Sequence, residues 1–226
     1  VTIKWEAVPW GTCQDKVINL AIAGDPVDLA YVGSRTLKGL AENGHIINVD
    51  IPQSQIGMYQ PGILNTVSHM GKVWGYPRAF STKALFMNCD LLEQAGVACE
   101  GPKTWDELYT MAEAVTNNVS GVAGIGLTGK DFDNTMHQFL NYLYSNGGQV
   151  IDPDTNTITL NSSNAVEALA FYGKLANVAQ EGPLAYERSQ LRDLLNDKKI
   201  AMYIDLSLIH ISEPTRQEAI SYAVFC

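Results

Sequence analysis

Ser34, Ser81 and His137 are the residue types of a nucleophile and its base. A catalytic serine needs a sharp turn to expose it, and no G-x-S-x-G run surrounds either serine. Asp106, Glu107, Asp131 and Asp133 could be drawn as the carboxylate pairs of a glycosidase. Asp106 and Glu107 are already explained by a helix start, where the dipole stabilises negative charge. Asp131 and Asp133 read as surface or capping residues. His45, His69 and His137 lack the spacing of metal ligands. Gly124 and Gly126 lack the third glycine of a dinucleotide loop and read as close packing. The chain therefore points to recognition rather than catalysis, with no cofactor and no metal expected. Sugar recognition uses an apolar platform with a few aimed polar groups. Trp10, which follows the first predicted strand, suits a platform, and a core position suits it equally. Trp74 and Trp105 read as structural, one by strand packing and the other by its place at a helix start.

Elements must hold these residues in place. Thr2 to Val8 reads as a strand, Thr12 to Ala23 as a helix capped by Thr12, Val27 to Val32 as a strand, and Arg35 to Asn43 as a helix capped by Ser34. Strand, helix, strand, helix implies a parallel sheet with crossover helices. Ligands sit beyond the carboxyl ends of such strands, which directs attention to Trp10-Gly11 and to Tyr31 through Arg35. A weak helix begins near Pro61. Lys72 to Phe80 is an edge strand, because Pro77 cannot donate to a ladder, and Ala84 to Met87 is a second strand. Asn88 caps a helix that Gly96 ends. Thr104 and Glu107 form a capping box, each side chain serving the other's amide. Then come a helix to Val115, a strand Val122 to Leu127, and a helix Asp133 to Tyr144 with Met136, Leu140, Leu143 and Tyr144 inward. A hairpin turns at Asp152 to Asn156 into a strand Thr157 to Leu160. Helices over Asn164 to Gln180 and Glu187 to Asp197 and a strand Ile200 to Ile204 follow.

The 226 residues are 46% apolar with a net charge of −9. That length fits one large or two small domains, and the charge argues against a nucleic-acid partner. No apolar run approaches the ~20 residues of a membrane helix. Cys13, Cys89, Cys99 and Cys226 form no C-x-x-C or metal pattern. Cys89 and Cys99 could pair in an oxidising compartment or remain thiols.

Gly71, Lys72, Trp74, Gly75, Pro77, Leu85, Phe86, Asn88, Ala95, Gly96, Pro102, Thr104, Trp105, Asp106 and Glu107 stand at fixed spacing. Together they resemble the pattern of family 1 extracellular solute-binding proteins, the maltose-binding-protein-like receptors of ABC importers. Gly24-Asp25-Pro26 and Asp28, a strand, and a helix ending at Gly44 extend the resemblance, with the proline one place early. It covers Val1 to Asp205. It implies an α/β, two-lobed periplasmic-binding-protein fold of the class II type, truncated at both ends. Residues 1–81 would belong to the N-terminal lobe and 82–205 to the second, with the crossing at Phe80–Lys83. It implies capture of a sugar or oligosaccharide by a monomer that delivers it to a membrane permease. The setting would be periplasmic or extracellular, with a lipid anchor compatible. Arg78 and Ser81 fall near the crossing where the family contacts ligand, although Ala79 replaces the usual acidic residue. Ser34 and Arg35 occupy a ligand-contacting loop. His137, counted back from Gly147-Gly148, matches a position that stacks on sugar. Asp205 ends the matching strand Ala201-Met202-Tyr203-Ile204-Asp205. The ligand set is then Trp10, Ser34, Arg35, Arg78, Ser81, His137 and Asp205. Arg35 and Arg78 favour an acidic ligand over a polyamine; the alternative of another class is a glycoside-processing enzyme.

Residues 206–226, LSLIHISEPTRQEAISYAVFC, depart from the family pattern where Gly-x-Trp is expected. They resemble a translated sequencing adapter. Leu206 to Arg216 back-translates to a transposase-adapter end and Ile220 to Cys226 to a flow-cell tail, with Gln217-Glu218-Ala219 in the space of an index. This tail is expected to be non-native and to have no specific tertiary role.

Overall fold

The computed structural model describes residues 2–78, 82–206 and 222–225, the last four by backbone alone. Ser81, the crossing at Phe80 and residues 207–221 lie outside the described residues. The chain forms two compact units, Val1–Phe80 and Ser81–Cys226.

The first unit is mostly helical. α1 (Trp10–Ile22) and α2 (Ser34–Glu42) precede short α3 (Gln53–Ile56) and α4 (Pro61–Thr66). β1 (Ser68–His69) and β2 (Lys72–Val73) make a two-stranded antiparallel hairpin. Its turn carries Met70 and Gly71 at positive φ, 50° and 70°. α2 buries Leu37, Leu40 and Ala41. The expected parallel sheet is absent from the described residues of this unit. Thr2 to Val8 and Val27 to Val32 have strand-like composition but no ladder partner, and Trp5 and Leu29 remain 86% and 93% exposed. Composition favours a strand only when a neighbouring strand supplies the hydrogen bonds. Trp10 and Gly11 lie in the first turn of α1, and Pro9 rather than Thr12 holds the N-cap place. Ser34 is likewise inside α2, behind an N-cap at Gly33, and caps nothing. The edge strand shortens to β2, ending well before Pro77.

The second unit is built on a mixed sheet. β3 (Lys83–Met87), β4 (Ala123–Gly126), β7 (Ile200–Leu206) and β8 (Tyr222–Phe225) lie in the order β4-β7-β3-β8. β4 runs parallel to β7, and β3 is antiparallel to both of its neighbours. A parallel pair needs a long crossover. Here it is α7 (Asp133–Ser145), the hairpin β5 (Ile151–Asp152) and β6 (Thr157–Ile158), α8 (Ser163–Lys174) and α9 (Arg188–Asn196). α5 (Cys89–Gln94) and α6 (Trp105–Asn118) precede β4. Side chains alternate along each strand. Leu85, Met87, Met202 and Ile204 join one core with α5, α6, α7 and α8, while Ala84, Phe86, Ile200 and Tyr203 pack on Leu191 and Leu195 of α9.

Local signals set several ends. The Asn88 side chain accepts from the amide of Leu91, and the Thr104 hydroxyl accepts from the amide of Glu107. The return half of the Thr104 box differs from expectation: Glu107 accepts from Lys103 N at 2.6 Å instead. A complete box forms at α9, between Glu187 and Gln190. Gly124 is fixed by packing, since a Cβ there would lie 2.0 Å from the Ala112 carbonyl oxygen. Beyond β4, the Gln180 side chain behaves as a one-residue strand. Its Nε2 donates to Leu127 O at 2.7 Å and its Oε1 accepts from Leu127 N at 3.0 Å.

Two expectations need correction. Cys89 and Cys99, left open by spacing, form a disulfide with Cα atoms 5.2 Å apart. The tail is not wholly without a tertiary role: Leu206 is the last residue of β7, and Tyr222–Phe225 pairs along β3. Ladder bonds come from the backbone, so an open strand edge accepts extended chain of almost any sequence. This pairing is therefore indifferent to where the tail's sequence came from.

Candidate functional site

In the first unit two of the predicted residues, Trp10 and Arg78, meet at one ring. The Arg78 guanidinium carbon lies 4.7 Å from the centroid of Tyr31. Trp10 meets the same ring at 5.5 Å, tilted by 49°. Trp10 and Tyr31 are 40% and 50% exposed, so this is an open aromatic surface and not a core. Ser34 and Arg35 open α2 just after it, both exposed. Gln14 of α1 accepts from the Thr36 hydroxyl of α2, which ties the two helix starts together. Tyr31 was not among the expected ligand residues, although the strand-end rule had pointed to the stretch that contains it.

In the second unit a polar cluster surrounds the ends of β4 and β7 and the start of β3. Asp205 is 2% exposed and accepts from Arg188 and from the amide of Leu206. The structure thus gives Asp205 an internal partner. Lys83 donates to Asn134 Oδ1 at 3.1 Å. Burial pushes the Lys83 ammonium below the usual lysine range; Asp205 opposes this, Arg188 adds to it and Asp133 opposes it. Burial also raises the Tyr203 hydroxyl, with Asp205 acting in the same direction. Asn134, donating toward Tyr203 Oη, opposes that rise; among the described residues neither Asn134 Nδ2 nor Tyr203 Oη has a hydrogen-bond partner of ordinary geometry.

α7 is pinned here by Gln138. Its Nε2 donates to Ile204 O at 2.8 Å, and its Oε1 accepts from Thr128 N and Oγ1 and from Tyr172 Oη, at 3.2–3.4 Å. Burial pushes the Tyr172 hydroxyl up to about 12, although its bond to Thr128 opposes the shift. The buried residues of α7 are Asn134, Gln138, Tyr142 and Leu143. Of the inward set expected, Leu143 is buried, but Met136 and Tyr144 are exposed. His137 projects from α7 about half exposed, with Nε2 at 3.8 Å from Asp133 Oδ1. Lys83, Asn134, Gln138 and Arg188 were missed, since an isolated polar residue in a helix or strand carries no burial signal.

Trp105 stacks on Phe171 at 4.7 Å and donates to Ser145, as a structural residue should. A separate open groove of about 360 Å³ is lined by Trp105 and its neighbours Thr104 and Asp106 at the start of α6 and by α8 residues including Glu167 and Lys174. It contains none of the predicted ligand residues. Among the described residues no cluster of His, Cys, Asp or Glu could hold a metal ion, and no helix is long and apolar enough to cross a membrane.

Comparison with known proteins gives these features a context. The profile of a family described as bacterial extracellular solute-binding protein matches residues 1–209. A binding protein of Brucella abortus is 27% identical over 97% of this chain and 53% of its own length. The maltodextrin-binding protein MdxE of Bacillus subtilis is 30% identical over 67% of this chain and 35% of its own. Among solved structures, an ABC transporter solute-binding protein from Thermotoga lettingae, bound with alpha-D-tagatose, superposes with a TM-score of 0.80 at 25% identity. That match covers 94% of this chain and 57% of the other. The chain spans about half the length of the Brucella relatives it matches.

Proposed function

The chain belongs to the family of bacterial extracellular solute-binding proteins, and from that membership we propose that it captures a sugar outside the cytoplasm and delivers it to the permease of an ABC importer. The carrying observation is the open assembly of Trp10, Tyr31 and Arg78. Aromatic faces pack against the C–H faces of a sugar ring, and a guanidinium beside them donates to its oxygens. Ser34 and Arg35 supply further polar groups from the start of α2. Ser81 lies outside the described residues, and in the second unit His137 is half-exposed while Asp205 is buried against Arg188. The two units are the two lobes of the receptor. Relatives and structural neighbours support the class: the Bacillus protein is named for maltodextrin and the Thermotoga structure holds a tagatose. The disulfide fits an oxidising compartment, where such bonds persist.

No bond is made or broken in this role. Ligand shifts the receptor toward a transport-competent form only by binding that form better. The test is calorimetric titration of the full chain with a panel of neutral sugars, sugar acids and polyamines, beside a turnover assay on chromogenic glycosides. Saturable binding of a sugar without turnover is expected. Turnover of any glycoside, or tight binding of polyamines alone, would overturn the reading.

A further inference from the structure

We propose that Gln14 is a positioning residue for sugar capture, which fixes Tyr31 through Arg35 against the start of α1 at the spacing the ligand needs. This rests on the sugar-capture reading above. Trp10, Cys13 and Gln14 stand at i, i+3 and i+4 of α1, so one face of its first turns carries all three. All three meet the same stretch of chain. The Trp10 ring contacts the ring of Tyr31. Cys13 Sγ donates to Tyr31 O at 3.5 Å. Gln14 Oε1 accepts from the Thr36 hydroxyl. A Cβ on Gly33 would lie 3.1 Å from that same Gln14 oxygen. The φ of Gly33 is −69°, which any residue adopts. Close approach of the Gln14 amide is therefore what the glycine serves.

This stretch needs such a grip. Val27 to Val32 has no ladder partner among the described residues, so no described sheet fixes where Tyr31 stands. The ring contact and the thiol bond both act at Tyr31, and a thiol is a weak donor. A chain held at one residue can still pivot about it. The Gln14–Thr36 bond adds a second point of attachment, on the far side of Ser34 and Arg35. Those two exposed residues lie between the anchors at Tyr31 and Thr36. Gln14 and Thr36 are half-buried, where a hydrogen bond is stronger than in open water. No residue of α1 is fully buried, so Gln14 is not there to fill a core. A site binds more tightly when its aromatic face and polar groups are held in place before the ligand arrives. Gln14 acts through the residues it places.

The experiment compares Gln14→Leu, Thr36→Val, the double variant and Gln14→Glu with the parent, each as the full chain. Calorimetric titration uses maltose, D-tagatose and D-galactose. The tightest of these should bind each single variant about fivefold more weakly, the scale of one neutral hydrogen bond. The double variant should lose no more than either single one, since both remove the same bond. Gln14→Glu keeps an acceptor for Thr36 and should restore most of the affinity. A readout without sugar follows the Trp10 fluorine resonance in chain labelled with 5-fluorotryptophan, assigned with Trp10→Phe. Thr36→Val should move that resonance, although the change is made on α2. A thermal melt identifies any variant that fails to fold. Gly33→Ala then asks the same question from the other side, because its methyl crowds the Gln14 amide, and it should weaken binding alike. Folded single variants that bind as the parent does, additive losses in the double variant, Gln14→Glu as weak as Gln14→Leu, or an unmoved Trp10 resonance each overturns the proposal and leaves sugar capture standing. Absence of binding by these three sugars and by the wider sugar panel overturns sugar capture, and this proposal with it.

Discussion

The Arg78 guanidinium lies over the ring of Tyr31, 4.7 Å from its centroid, and Trp10 meets that ring from another direction. The contact joins chain segments far apart in sequence. Stacking on a ring holds a guanidinium plane in place and leaves its rim of N–H groups for an acceptor. Arg78→Ala should weaken sugar binding by about 1.5–3 kcal/mol, the worth of a lost charged hydrogen bond. Arg78→Lys should recover only part, because an ammonium lacks the planar fork. Titration calorimetry decides: equal affinity for Arg78→Ala and the parent removes Arg78 from the site.

The Cys89–Cys99 bond closes a short loop, with a sequence separation of 10. A loop of that size removes unfolded-state freedom worth about 2–3 kcal/mol. Cys89→Ser with Cys99→Ser should therefore lower the unfolding free energy of the second unit by about that amount. Adding reductant to the parent should have the same effect and leave the double variant unmoved. A reductant-insensitive parent would show that the bond contributes nothing.

Gln138→Leu is expected to destabilise by at least about 1–3 kcal/mol, since it leaves Ile204 O and the Thr128 amide without their partner in the core. The side chains are similar in size, so lost volume does not explain the effect. Urea unfolding gives the number, and a change under about 0.5 kcal/mol would contradict the bonding described, being what an ordinary surface substitution costs.

Tyr172 gives a pH dependence of definite sign. Its hydroxyl is pushed up from 10.0 to about 12 in the folded chain. The folded state keeps the proton after the unfolded state has released it, so this contribution is complete below about pH 10 and is lost as pH rises toward 12. Tyr203 is shifted the same way. Unfolding free energy should fall over that interval, and Tyr172→Phe should flatten the fall even though it costs stability at neutral pH. Denaturant melts between pH 9 and 11 test this; an identical decline in both proteins would assign it elsewhere.

Much of the second unit was legible in the sequence because its signals are local. Asn88 and Thr104 announce helix starts by capping chemistry that involves residues three positions on. Met87, Met202 and Ile204 announce buried strands by composition. The inward face of α7 was misread because Asn134 and Gln138, the polar residues of its outer turns, are the buried ones. Their burial depends on Lys83 and on the strand carbonyl of Ile204, which lie more than fifty residues away in sequence. Trp10 and Arg78 were legible as candidates, whereas Tyr31, the ring that unites them, was not, because an exposed tyrosine has no pattern until its neighbours are placed. The parallel sheet expected at Thr2 to Val8 and Val27 to Val32 shows the opposite case: the composition was right and the pairing partner was missing.

Gln180 has a consequence for assembly. Its amide occupies both the donor and the acceptor of Leu127 just past β4, and Ala179 bridges to Ile125 within that strand. The outer margin of β4 is thus closed by the chain's own hydrogen bonds, so another molecule finds no row of free amides there on which to extend the sheet. Among the described residues, the opposite margin, along β3, is covered by Tyr222–Phe225. Among the described residues β8 has β3 as its one ladder partner, so strand exchange or fibril growth from this sheet would start at that margin, by addition to β8 or by its displacement from β3.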